Sequence, residues 1–122
     1  MAVAKDGRVW FASGPNITTD TSYGVAVWDG HKFTVYDPQK QLGMSEKLVQ
    51  DLATLPDGRI VLAGRTTGLV LYDPATGKST AMRGTSYLPS DRVSRIEVDR
   101  MVSPPALLVS TDAGVAVIRK LP

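Results

Sequence analysis

The chain repeats itself, and the period of that repetition limits the folds open to it more than any other feature. Asp6-Gly7-Arg8-Val9-Trp10-Phe11-Ala12 recurs as Asp57-Gly58-Arg59-Ile60-Val61-Leu62-Ala63. Tyr23-Gly24-Val25-Ala26-Val27-Trp28-Asp29 matches Thr67-Gly68-Leu69-Val70-Leu71-Tyr72-Asp73, and again Ala113-Gly114-Val115-Ala116-Val117-Ile118-Arg119. The segment Met44 to Leu52 returns, conservatively changed, as Pro89 to Ile96. The matches keep the same order, with a period of about 45 residues; the longer spacing of the Asp-Gly-Arg pair reflects a longer loop in the first copy.

Each unit reads as short strands between turn signals. Asp-Gly at 6–7, 29–30 and 57–58 is a strong hairpin signal, and Lys32 to Tyr36 alternates with the period of two expected of a half-buried strand. The predicted strands are Ala2–Ala4, Val9–Ala12, Val25–Trp28 and Lys32–Tyr36, then Val49–Thr54, Arg59–Ala63, Leu69–Tyr72 and Lys78–Met82, then Val93–Val98, Ala106–Thr111 and Val115–Ile118. Ser45 to Leu55 also places Leu48, Leu52 and Leu55 at helical spacing behind a possible Ser45 cap. Its counterpart carries Val93, Ile96 and Val98, which favour a strand, so a strand is expected in both. Four strands per unit of this length is the plan of a β-propeller blade. A β-sandwich has no reason to repeat its sequence. The expected fold is therefore all-β, with units over 1–38, 39–82 and 83–122 as four-stranded antiparallel meanders. The last unit lacks its fourth strand, so the chain amounts to about 2.75 blades of four strands.

Leu88-Pro89-Ser90-Asp91-Arg92-Val93 resembles the linker and first strand of the two-component regulator propeller repeat. Asp57 to Ala63 resembles its second strand, and Thr67 to Asp73 its third. The third unit departs from that pattern, carrying Arg100-Met101-Val102-Ser103-Pro104-Pro105 in place of the Asp-Gly turn. The resemblance implies blades of periplasmic or extracytoplasmic sensors of bacterial hybrid histidine kinases. Streptogramin lyase-like propellers share the style of the Asp6 to Ala12 strand, and that resemblance implies an enzyme. Blades are generic scaffolds, so neither resemblance carries a function by itself.

A closed propeller has at least four blades. The expectation is that the chain is an excerpt of a longer propeller or closes by association with copies of itself or with blades of another chain. Composition removes other classes. No cysteine is present, which excludes disulfides, thiolate metal sites and cysteine nucleophiles. The 122 residues carry a net charge of only +2 without a basic run, so nucleic acid is not the expected partner. No apolar stretch is long enough for a membrane span, and the first residues do not read as a signal peptide.

In a propeller, loops between second and third strands share one face with the linkers between blades. That face receives the long segment Ser13 to Ser22, and loops of variable length on a rigid scaffold are where binding residues concentrate. The candidate ligand or partner contacts are Asn16, Thr18, Thr19, Asp20 and Tyr23, with Arg65 and Asp112 in the corresponding loops of the later units. His31, the only histidine, falls beside a turn on the opposite face, where solvation rather than catalysis is expected. No Ser-His-Asp set, calcium loop or phosphate cradle can be assembled, and no cofactor is implied. Asn16-Ile17-Thr18 fits a glycosylation sequon, a short and common match. Trp10, Trp28, Tyr36 and Tyr72 lie within strands and are expected to pack between blades. Ser45-Glu46-Lys47 and Ser90-Asp91-Arg92 are read as structural groups at the junctions. The sequence points to a binding or sensing module without catalytic residues. The alternatives are a piece of a lyase- or lactonase-like enzyme and an assembly unit that completes a ring.

Overall fold

The computed structural model describes residues 1–13 and 24–122. Among them, eleven strands form three antiparallel sheets, each a meander in chain order. The first sheet holds β1 (Ala2–Val3), β2 (Val9–Ser13), β3 (Gly24–Trp28) and β4 (Phe33–Tyr36). The second holds β5 (Asp51–Thr54), β6 (Ile60–Ala63), β7 (Leu69–Asp73) and β8 (Lys78–Met82), and the third β9 (Val93–Asp99), β10 (Ala106–Thr111) and β11 (Gly114–Ile118). The architecture is that of partial propeller blades, with β5, the first strand of the middle sheet, touching both β1 and β9.

The repeated Asp-Gly-Arg explains itself in the turns. Asp6 accepts from the Arg8 backbone N–H at 3.0 Å and from Arg8 Nε at 2.7 Å. Asp57 does the same for Arg59, at 3.0 and 2.8 Å. The glycine between them takes the positive φ the turn demands, +88° at Gly7 and +97° at Gly58, a region closed to most side chains. The two hairpins thus share one bonding scheme, which is why the same three residues recur.

The cores lie between the sheets. Successive side chains of a strand point to opposite faces, so the middle sheet divides its residues between two neighbours. Ile60, Leu62, Val70 and Tyr72 pack toward Trp10, Val25 and Val27 of the first sheet. Val61, Ala63, Leu69 and Leu71 pack toward Ile96, Leu107 and Val109 of the third. Both faces being covered, the middle strands read as unbroken apolar runs rather than alternations.

Three sequence expectations change. The strand expected over Val49–Thr54 forms but is shorter, Asp51–Thr54, and the residues before it do not extend it, Ser45 and Glu46 bonding instead to the β6–β7 hairpin. A single helical turn, α1 (Pro38–Gln41), starts where none was predicted; the Asp37 side chain accepts from the N–H groups of Gln39 and Lys40, with Pro38 at the first position. Trp10 and Tyr72 do lie in the core between sheets, with Tyr36 stacked on Trp10 at 5.7 Å. Trp28 does not: it sits on the far side of the first sheet, 4.7 Å from the ring of Phe33.

Candidate functional site

The first strands of the three sheets run side by side and wall a groove of about 550 Å³. Its charged lining is Asp51 from β5, Arg95 and Glu97 from β9, and Arg100 just beyond β9. An innermost strand has no neighbour on one side, so half its backbone groups need other partners. Here side chains supply them across the blade junctions. Thr54 Oγ1 donates to the Val3 carbonyl at 2.7 Å, joining β5 to β1. Asp51 accepts from the Ile96 N–H at 2.9 Å and Arg100 donates to the Thr54 carbonyl at 2.8 Å, joining β5 to β9. Thr54 and Asp51 point to opposite neighbours because they stand an odd number of residues apart.

At one end the groove meets a shallower depression of about 200 Å³, with Gln50 and Ser94 common to both. Arg65, Arg92, Thr111 and Asp112 complete this mouth. Arg65 and Asp112, expected from the sequence as contact residues, are thus brought together. Asn16, Thr18, Thr19, Asp20 and Tyr23 lie outside the described residues. Arg92, Gln50 and the groove residues Asp51, Arg95, Glu97 and Arg100 were not anticipated as site residues. A signal for two of them existed: aligning Leu52 with Ile96 places Asp51 opposite Arg95, charges at a strand position where apolar residues would be expected.

The loops that carry the mouth are held by backbone bonds. Gly68 donates to the Asp91 carbonyl at 3.0 Å, Val93 to Gly64 at 3.2 Å, and Asp112 to Arg92 at 3.3 Å. Glu46 locks the β6–β7 hairpin that bears Arg65, accepting from the Thr66 N–H at 2.9 Å and from Thr66 Oγ1 at 3.0 Å. Burial raises the Glu46 carboxyl, yet the bonds from Thr66 and Thr67 together outweigh it and hold the group below the usual carboxylate range. Asp91 caps the next linker, its carboxylate accepting from the Gly84 N–H at 2.6 Å. Ser45, Glu46 and Asp91 are thus structural, as expected, although the side chains of all three bond within their own units rather than between units.

Two guanidinium groups and one carboxylate face the mouth, and among the described residues the ion pairs are made by Arg8, Arg59 and Arg83 instead. Arg65 and Arg92 therefore present donors to whatever enters, and a guanidinium fork matches a carboxylate or phosphate. His31 stands exposed in the β3–β4 turn, where the Asp29 carboxylate accepts its backbone N–H at 2.8 Å. Among the described residues no three His, Asp or Glu side chains gather as metal ligands would, and no helix is long and apolar enough to cross a membrane. No family model, no curated protein and no solved structure matches the chain.

Proposed function

We propose that the chain is a non-enzymatic β-propeller binding module whose ligand presents an anionic group to the mouth of the inner groove. The observation that carries this reading is the convergence of Arg65 and Arg92 on one depression that opens into the groove. A rigid scaffold suits recognition, because loops already held in place lose little freedom when they bind. The resemblance to the two-component regulator propeller repeat adds the expectation of an extracytoplasmic sensor, with a small molecule or a protein as ligand.

The test is thermal stabilisation by a panel of inorganic phosphate, di- and tricarboxylates and acidic peptides. A ligand that binds only the folded chain stabilises it by about 2.7 kcal/mol at a hundred times its Kd. Arg65→Ala and Arg92→Ala should each shrink that response at fixed ligand while leaving the unliganded melt in place. A panel without any response, or a response indifferent to both substitutions, refutes the reading.

A second role, association with further blades, is favoured by a separate observation. The outer faces of the first and third sheets expose Phe33, Val35, Val115 and Val117, at 59%, 69%, 71% and 49%.

A further inference from the structure

We infer that the two outer sheet faces are the two halves of one blade junction, and that a second copy of this chain joins them head to tail. The inference refines the association just described and is independent of the ligand.

The argument comes from register. In the middle sheet, Ile60 pairs with Tyr72 and Leu62 with Val70, and these four residues form its buried face toward the first sheet. The matching residues of the first sheet are Val9 paired with Trp28 and Phe11 with Ala26, extended onto β4 by Phe33 and Val35. They carry the same apolar character on the same face, but among the described residues no sheet lies against them. The Phe11, Trp28 and Phe33 rings pack on one another instead.

The third sheet shows the complementary half. The middle sheet turns Val61, paired with Leu71, and Leu69, paired with Ala63, toward the third sheet. The equivalent residues of the third sheet are Leu108, paired with Val117, and Val115, paired with Ser110. Leu108, Val115 and Val117 stand exposed on its far face. The third sheet thus leaves free the face type that the internal junctions place first, and the first sheet leaves free the type they place second. Placing the first sheet of one copy on the third sheet of another continues a junction already made twice within the chain. Scattered exposed apolar residues are ordinary; a pair of faces matching the two sides of an existing junction is not.

Such a contact is heterologous, and repeated in one rotational sense it closes into a ring. Two copies supply six sheets, within the four to eight blades of closed propellers. Closure also completes the inner groove, which a single chain walls with only three strands.

The experiment is sedimentation equilibrium on the full chain and on charge variants at the two most exposed positions of these faces. The wild type should sediment at twice 13.1 kDa. Val35→Lys alone and Val115→Glu alone should each fall to 13.1 kDa, with an unchanged β-sheet circular dichroism spectrum and a cooperative melt. Mixed in equal amounts they should recover the doubled mass, because each junction then pairs two valines or a lysine with a glutamate. A wild type that stays monomeric up to its solubility limit overturns the inference. So does a Val115→Glu chain that still dimerises, which would mean that like faces pair. A mixture that stays monomeric also refutes it. If either variant unfolds, the milder Val35→Thr and Val117→Thr, expected to weaken the dimer, replace it. Anion-induced stabilisation measured on the same monomeric variants keeps the two proposals apart: association can fail while binding survives, and the reverse.

Discussion

Replacing Asp51 by asparagine changes one atom and tests whether the junction between the second and third sheets depends on a carboxylate. Oδ1 accepts from the Leu52 N–H and Oδ2 from the Ile96 N–H, both at 2.9 Å. The second bond crosses the junction and satisfies a backbone donor at the unpaired edge of β9. Asparagine keeps one acceptor and turns its NH2 group toward the other N–H, so one bond to a charged acceptor is lost and two donors confront each other. A bond to a charged group is worth about 1.5–3 kcal/mol, and partial solvent access places the loss near 2 kcal/mol. For a domain of this size that corresponds to a fall in Tm of about 8 °C, or a drop of about 1 M in the urea midpoint with unchanged slope. Asp51→Ala, which removes both acceptors, should cost more than Asp51→Asn. Differential scanning calorimetry and urea titration read both variants. A change under about 0.5 kcal/mol for Asp51→Asn, or the reverse order of the two, refutes the claim that this carboxylate ties the sheets.

Glu46 supplies a pH test. Its folded carboxyl titrates below the usual range, so on acidification the unfolded chain takes up a proton before the folded one does. Its contribution is present above the ordinary carboxylate range and is lost as the pH falls through the folded value. Urea titrations of wild type and Glu46→Gln across that range should show the flatter acid slope in the variant. Gly43 and Gly77 both hold positive φ, at +80° and +75°, but a Cβ on Gly43 would lie 2.5 Å from Ser79 Cβ, whereas one on Gly77 meets nothing within 4 Å. Gly77→Ala should cost about 1 kcal/mol of stability from backbone strain alone, and Gly43→Ala about 3 kcal/mol, read from urea midpoints. Leu107 and Leu108 are adjacent but face opposite sides of the third sheet. Leu107→Ala should destabilise the single chain by about 2–5 kcal/mol and Leu108→Ala by under about 0.5 kcal/mol.

Most strands were legible because each is bounded by residues with turn chemistry. Asp6-Gly7 and Asp57-Gly58 mark hairpins by a bonding scheme that any Asp-Gly-Arg can adopt. The short α1 was not legible from periodicity, since four residues show no period; its Asp37-Pro38 start was the only signal. Lying within a strand does not tell which face of a sheet is covered: Tyr72, the repeat counterpart of Trp28, faces the first sheet, whereas Trp28 stands on the outer face of the sheet at the end of the stack. The groove was hardest to foresee. Its residues come from strand positions where alternation alone cannot separate a side chain facing a neighbouring blade from one facing the channel, and the Asp51 to Ile96 bond joins residues 45 positions apart.

The middle sheet belongs to both cores at once, while each outer sheet belongs to one. Stability in stacked units is carried by neighbour contacts, so removing the middle sheet forfeits every junction in the chain and removing an outer one forfeits a single junction. Opening should therefore spread inward from the ends. In native-state hydrogen exchange of a monomeric variant, the amides of β6 and β7 should exchange only through global unfolding, with those of β4 and β11 released earlier by fraying. The chain then has a gradient of rigidity along its length, highest in the sheet whose β6–β7 hairpin carries Arg65.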